Sequence, residues 1–448
     1  MRLSVALTPR VIVCFEDFPD HIALPRGCLG EVESLLRNYG ANLTIDDKRE
    51  YGAELNVEFA GQLTLIQKKA ADALLAHDTG VLVAPPGIGK TVIATSIVAE
   101  RRRSTLILVH RKPLLDQWVA QLSMFLQLGP KSIGRIGSGK NKPTGALDVG
   151  MFQSLISKEK VADIVSTYGH VIVDEFHHLP CVSFERVMSE IRARYVTGLT
   201  ATPYRHDGHH SIIHMQLGPT RLIVDAKSHA AQRPFEHKLH VRNITFSLNG
   251  FTEQTSIQAL YALLSSDTQR NDMILNDIID ALENKRSPVV LTERRDHLEY
   301  LEEQLRKCTP NLIVLHGGMK PKDRREALSR LAGIPDDVER LLLATGRFIG
   351  EGFDDARLDT LFLALPVSWK GTLVQYAGRL HRLHPGKTDV RIFDYVDREV
   401  QILRKMFEKR LRGYRAIGYR VDTQLTSRDL RHSEMLQSNQ IPDELFTE

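Results

Sequence analysis

A chain of 448 residues with 42% hydrophobic and 25% charged residues has length for about three domains, each able to bury a core without staples. Its formal net charge of +4 is a near cancellation, so the sum is no argument for a polyanionic partner and local basic clusters must carry that argument. The four cysteines, Cys14, Cys28, Cys181 and Cys308, form neither a CxxC pair nor a plausible disulfide framework, and Arg2, Arg10, Glu16 and Asp17 interrupt the N-terminus, so no cleavable signal is expected; a soluble cytoplasmic protein with no membrane partner is expected.

Residues 1–58 read as a small α/β module. Val11 to Phe15 is a candidate strand, Leu24-Pro25-Arg26-Gly27 is turn chemistry, and Leu29 to Asn38 is a candidate helix with Val32, Leu35 and Leu36 on one side. Packing against the next domain and gripping nucleic acid are both open as its role.

From 59 to 227, apolar β runs alternate with helical patterns, which predicts a parallel sheet covered on both faces. The expected strands are Val81 to Ala84, Thr105 to Val109, Val149 to Phe152, Val171 to Asp174 and Val196 to Thr200. The stretch V-L-V-A-P-P-G-I-G-K-T, Val81 to Thr91, reads as strand, phosphate loop and helix start. Gly87 and Gly89 let the backbone curl so that successive N–H groups point inward, and the new helix adds its positive dipole end. Ala84, Pro85, Pro86, Gly87, Ile88, Gly89, Lys90 and Thr91 are therefore the candidate nucleotide-binding residues. Lys90 is the point charge for the outer phosphates, and the Thr91 hydroxyl is placed for magnesium. A near copy, Gly134 to Asn141, ends in Asn where a hydroxyl is needed. It reads as a basic surface loop whose Lys140 and Lys142 either touch a nucleic-acid backbone or form a solvated turn.

The fourth strand ends V-I-V-D-E-F-H-H, Val171 to His178, and ligands of open parallel sheets bind beyond the carboxyl ends of strands. Asp174 is the candidate magnesium holder, and Glu175 the candidate to orient water and accept its proton. His177 and His178 read as a polar link from these carboxylates to the rest of the domain. Gln67 lies before the first strand, and its amide can both donate and accept, which suits adenine. Alone it would be an ordinary helix glutamine; the surrounding motifs reverse that.

A second set of strands, Val289 to Thr292, Ile313 to His316, Leu341 to Thr345, Thr360 to Leu365 and Val390 to Asp394, spans residues 228–425 without a phosphate loop. In Q-Y-A-G-R-L-H-R, Gln375, Arg379 and Arg382 fall at i, i+4 and i+7 on one helix face. They can act in cis on a γ-phosphate held by the first sheet, where an arginine is worth roughly 10³ to 10⁵ in rate. From Gln401 a basic helix carries the apolar stripe Leu403, Met406, Phe407 and Leu411; its basic side, with Arg404, Lys405, Lys409, Arg410, Arg412 and Arg415, faces nucleic acid or water. Residues 426–448 read as a mobile tail.

Over about residues 60 to 400 these motifs, in this order, resemble the superfamily-2 helicase core of DEAD/DEAH type. Gln67 is similar to its adenine-reading glutamine, the Ala84 to Thr91 loop to motif I, Asp174 to His177 to motif II, and Thr200-Ala201-Thr202-Pro203 to motif III. Thr345 with Gly350, Gly352, Phe353 and Asp354 is similar to motif V, and Gln375, Gly378, Arg379 and Arg382 to motif VI. The resemblance implies an α/β fold of two tandem RecA-like doubly wound parallel-sheet domains after the small module, and ATP and Mg2+ as cofactors. It implies that Gly352 and Asp354 join the nucleotide site, and that Arg111, Gln153, His316 and Thr345 touch a sugar-phosphate backbone. Leu115-Asp116-Gln117-Trp118 and Phe176-His177 are similar to the XPB-like and restriction-subunit-like branches, and the combination with the N-terminal module to helicases of bacterial mobile-element and phage-conflict systems. The expected function is an ATP-dependent DNA helicase or translocase on single-stranded or duplex DNA, largely sequence-independent. An RNA remodelling helicase and an ATP-gated clamp or adaptor are the alternatives. With little chain after motif VI, a nuclease or other conflict-system partner protein is expected to do any cutting.

Overall fold

The computed structural model describes residues 14–137, 139–157, 160–176, 181–201, 210–231, 233–244, 256–346, 353, 355–367 and 370–422. The chain forms two compact units, Met1–Asp225 and Ala226–Glu448. The 426–448 tail lies outside the described residues. Among those described, no helix is long and apolar enough to cross a membrane.

The first unit is built on an eight-stranded sheet. Its order is Thr220–Ile223, Thr79–Val83, Tyr195–Thr200, His170–Asp174, Thr105–Val109, Leu147–Met151, Gly134–Gly137 and Lys140–Lys142. All pairings are parallel except the last. The central strands are mostly apolar and buried at almost every position because both faces are covered. On one face Leu82, Ile107, Val149, Ile172 and Leu199 pack under helices Leu65–Leu75, Lys90–Arg101 and Lys112–Phe125. On the other, Val81, Val83, Leu106, Leu108, Val171 and Val173 meet Phe184, Val187, Met188, Ile213 and Leu217. Each such fully buried aliphatic side chain is worth about 1.5–3 kcal/mol, which makes the sheet a rigid floor for the loops at its carboxyl edge.

The N-terminal helix Leu29–Asn38 forms as expected, with no buried residue. The expected strand at Val11 to Phe15 lies mostly outside the described residues; the pairing seen is Glu16–Asp17 with Ile22–Ala23. This segment is tied to the first unit. Arg26 Nη1 donates to the Ala193 carbonyl at 3.0 Å, Arg49 Nη2 lies 3.0 Å from Asp78 Oδ2, and Leu55 and Val57 join the first core.

The Gly134 to Asn141 stretch is not a surface loop. Gly134–Gly137 and Lys140–Lys142 form an antiparallel hairpin at the sheet edge. Buried Asp148 holds the return, accepting from Thr144 N–H at 2.9 Å and Gly145 N–H at 2.8 Å.

The second unit is an all-parallel, seven-stranded sheet ordered Leu312–Leu315, Leu341–Thr345, Pro288–Thr292, Thr360–Leu363, Asp389–Asp397, Glu236–Ile244 and Arg420–Val421. Glu236–Ile244 escapes sequence periodicity because it carries charged side chains that are neutralised by carboxylates distant in sequence. Lys238 pairs with Asp389 at 3.1 Å and Arg242 with Asp277 at 2.6 Å. In the helix Gln401–Ala416 the apolar stripe is buried as expected. Arg410, expected on the basic side, is buried with it: its guanidinium forks onto Asp394 at 2.7 and 2.9 Å.

Candidate functional site

The strand Thr79–Val83 runs straight into the glycine loop, and Ala84 N–H donates to the Thr200 carbonyl at 2.9 Å. Gly87 and Gly89 take φ of +84° and +88°, the left-handed region open to glycine. A Cβ on Gly89 would come within 2.6 Å of Gln67 Nε2, so this position is restricted twice. The helix Lys90–Arg101 starts here and is held by Ile93, Ala94, Ile97 and Val98, all fully buried. Its first N–H groups lack partners within the helix, which leaves an anion-seeking end beside the loop.

Asp174 and Glu175 emerge beside this loop. Lys90 Nζ lies 2.9 Å from Glu175 Oε1 and 3.3 Å from the Ala84 carbonyl. Asp174 is the last residue of its strand, buried, and accepts the indole N–H of Trp118 at 2.8 Å. Burial and then the neighbouring Glu175 charge push its carboxyl up to about 6, against the pull of Lys90, the Trp118 bond and His110. Glu175 adopts φ +47°, which costs about 1–2 kcal/mol for a side-chain-bearing residue. It is held there by its own N–H to the Leu199 carbonyl at 2.9 Å and by Ala201 N–H to Oε2 at 3.4 Å. The strained turn aims the carboxylate at Lys90 instead of along the strand.

Gln67 braces the loop from the other side. Its Oε1 accepts Thr64 N–H at 2.9 Å and its Nε2 donates to the Ile88 carbonyl at 2.7 Å. Each amide end makes one bond within the chain, and an amide has a second proton and a second lone pair with which to meet a base edge.

The candidate backbone-contact residues fall at strand ends. Arg111 is the N-cap of Lys112–Phe125, and Gln153 Nε2 donates to the adjacent His110 carbonyl at 3.2 Å. In the second unit His316 directly follows the strand Leu312–Leu315, and Thr345 ends its parallel neighbour Leu341–Thr345. Gln375 and Arg379 lie on the helix Lys370–Leu380, half-buried beside Leu373, Val374, Tyr376, Ala377 and Leu380, all buried. Arg382 does not share that helix face: the helix ends at Leu380, and Arg382 sits in the turn beyond. Gly350, Gly352, Asp354, His177, His178, Thr202 and Pro203 lie outside the described residues.

Trp118 is the participant that sequence reading missed. It occurs at apolar helical spacing with Leu114, Leu115 and Leu122 and reads as core, which its 1% exposure bears out. Only the packing of its helix over the sheet shows that the indole N–H meets a carboxylate.

Residues 61–205 match the family described as type III restriction enzyme, res subunit, and residues 271–384 the helicase conserved C-terminal domain. A helicase-like protein, 161L, of Invertebrate iridescent virus 6 is 26% identical, covering 89% of this chain and 91% of that one. The DNA 3'-5' translocase XPB2 of Sulfurisphaera tokodaii is 33% identical over 34% of each chain. Among solved structures, the ATP-dependent Type ISP restriction-modification enzyme LlaBIII bound to DNA is similar with a TM-score of 0.58 and 15% identity, covering 85% of this chain and 32% of that one. At that identity the likeness speaks to fold alone, and the fold is α/β with tandem RecA-like domains. Together the two sheets, the family matches and the relatives show that the chain belongs to the superfamily-2 helicases of XPB and restriction-subunit type and is an ATP-hydrolysing enzyme.

Proposed function

We propose that the protein is a DNA motor: its helicase activity couples ATP hydrolysis to movement along DNA through contacts that are largely sequence-independent. The observation that carries this reading is the Lys90–Glu175 pair at 2.9 Å over the glycine loop, with buried Asp174 beside it. The reading assigns ATP binding to residues 59–227 and the second RecA-like half to 228–425.

The residues fit a magnesium nucleotide. Two left-handed glycines and a helix N-terminus suit phosphate oxygens, and a buried carboxylate raised to about 6 gains from a divalent cation. ATP would supply the phosphoanhydride to be cleaved, and Mg2+ would supply positive charge to offset that of the phosphates. Lys90, drawn onto phosphate, leaves Glu175 Oε1. Glu175 is then the base that orients a water and takes its proton, while Ala201 N–H holds the other carboxylate oxygen. Thr91 and Asp174 hold the cation, Asp174 ionised and kept in orientation by Trp118. Arg379 and Arg382 complete the charge stabilisation in cis, with Gly352 and Asp354 at the same nucleotide. Arg111, Gln153, His316 and Thr345 contact the DNA backbone. Relatives named as a DNA 3'-5' translocase and a DNA 3'-5' helicase support DNA, while a mimivirus relative named as an ATP-dependent RNA helicase, 24% identical over 84% of this chain, supports RNA as the alternative.

The test is steady-state ATPase activity without nucleic acid and with single-stranded DNA, duplex DNA and RNA, at low and moderate salt. Stimulation by DNA that falls with salt is the expected result. Preferential stimulation by RNA replaces the reading with RNA remodelling, and equal turnover in all four replaces it with an ATP-gated clamp.

A further inference from the structure

Arg382 is one of the two arginines assigned above to the γ-phosphate, yet it lies two residues beyond the end of the helix Lys370–Leu380. No helical hydrogen-bond ladder fixes its backbone. Something else must set it, because an arginine that stabilises developing charge does so only if it is placed before the reaction.

Lys387, five residues later, meets that need. Its Nζ reaches four main-chain carbonyls: Ala356 at 2.8 Å, Leu358 at 2.8 Å, Leu380 at 3.0 Å and Arg382 at 2.9 Å. An ammonium has three protons, so four acceptors at these distances use its whole donor capacity. The group is thus unavailable to phosphate or solvent. It also lies over the Phe235 ring, 5.7 Å from the centroid. Burial lowers it to about 8, with Asp359 and Asp355 opposing. Three carbonyls belong to segments that must be held: Leu380 is the last helical residue, Arg382 is the arginine itself, and Ala356 follows the 350–354 stretch that resembles motif V.

We propose that Lys387 is a positioning residue for ATP hydrolysis, an internal cationic staple that locks the turn carrying Arg382 to the segment 356–358 and so sets the arginine for the nucleotide held by the first unit. The inference rests on the reading of Arg382 given above. Lys387 touches no reacting atom in this scheme; it acts through the Arg382 backbone. A neutral side chain of similar length leaves four carbonyls without a common donor, and the turn is then free to rotate away.

The test is a double-mutant cycle on the full-length protein with Lys387→Met and Arg382→Ala, read by DNA-stimulated kcat, KM for ATP, direct ATP-analogue binding and thermal unfolding. The expected result is that Lys387→Met lowers kcat at least tenfold with analogue binding changed less than twofold. In the Arg382→Ala background the same substitution should cause less than a twofold further loss. Full turnover of Lys387→Met, or losses that multiply in the double variant, overturns the proposal. Full turnover of Arg382→Ala overturns instead the assignment of that arginine, which separates the two failures. Where Lys387→Met shows no folded transition, Lys387→Arg serves in its place, since it keeps charge and donors but cannot centre one ammonium among four carbonyls. It is expected to lose kcat threefold or more at unchanged analogue binding, and wild-type kcat in that variant overturns the proposal.

Discussion

Trp118 donates its indole N–H to Asp174 Oδ2 at 2.8 Å, inside a site where both residues are buried. A charge-assisted bond of this kind is worth about 1.5–3 kcal/mol to the ionised carboxylate. Trp118→Phe keeps an aromatic ring and removes the donor, so Asp174 should hold its proton more tightly. The expected outcome is a roughly tenfold higher Mg2+ concentration for half-maximal ATPase activity. A magnesium titration at pH 7 checks it, and an unchanged midpoint counts against Asp174 as the cation holder.

Lys90 and Glu175 face each other at 2.9 Å, but their substitutions should separate. Lys90→Ala removes the charge that receives phosphate, and should abolish both nucleotide binding and turnover. Glu175→Gln keeps shape and removes the base, and should retain binding while turnover falls by about 10² to 10⁴. Nucleotide binding by fluorescence alongside ATPase rates distinguishes the two.

Gly89 takes φ +88°, where a side chain is strained, and an added Cβ would lie 2.6 Å from Gln67 Nε2, the movable end of that side chain. Gly89→Ala should therefore raise KM for ATP more than tenfold, through strain of about 1–2 kcal/mol plus displacement of Gln67. Gln67→Ala should lower stability by about 1 kcal/mol as one half of the capping box with Thr64 is lost. If the contact is the obstacle, adding Gln67→Ala to Gly89→Ala recovers part of the ATP affinity. Steady-state kinetics of the three variants measure this.

His240 is buried at 3% exposure, stacked on Phe393 with centroids 4.6 Å apart. Neither ring nitrogen has a hydrogen-bond partner among the described residues. Burial, the largest cause, lowers it to about 4, below the roughly 6.5 of an unperturbed histidine. Between those values the unfolded chain binds a proton that the folded chain refuses. The stability is fully present above pH 6.5 and lost as pH falls toward 4, by about 1–2 kcal/mol at pH 5. His240→Phe should remove this loss, so its urea midpoint should fall less between pH 7 and pH 5 than that of the unchanged protein.

Five strands of each sheet were legible because they are mostly apolar and bounded by turn residues, and their observed ends differ by at most three positions; the short edge strands Thr220–Ile223 and Arg420–Val421 were not. Glu236–Ile244 was not: its lysine and arginine pair with Asp389 and Asp277, residues 151 and 35 positions away. Periodicity sees one segment at a time and cannot register a charge neutralised from another. The Gly134 hairpin was hidden for the same reason, since Asp148 anchors it from the next strand.

At the candidate site, sequence by itself determined the local chemistry: a glycine loop that must take left-handed angles, a lysine and a threonine at the helix start, and two carboxylates at a strand end. These are properties of consecutive residues, set by backbone sterics and the strand-to-helix switch. The partnerships were decided by tertiary structure alone. Trp118 meets Asp174 across 56 positions, Gln67 braces Ile88 across 21, and Lys387 ties Ala356 to Arg382. A hydrogen bond depends on distance and direction in space, and only the packing of helices onto the sheets brings these donors within 3 Å of their acceptors.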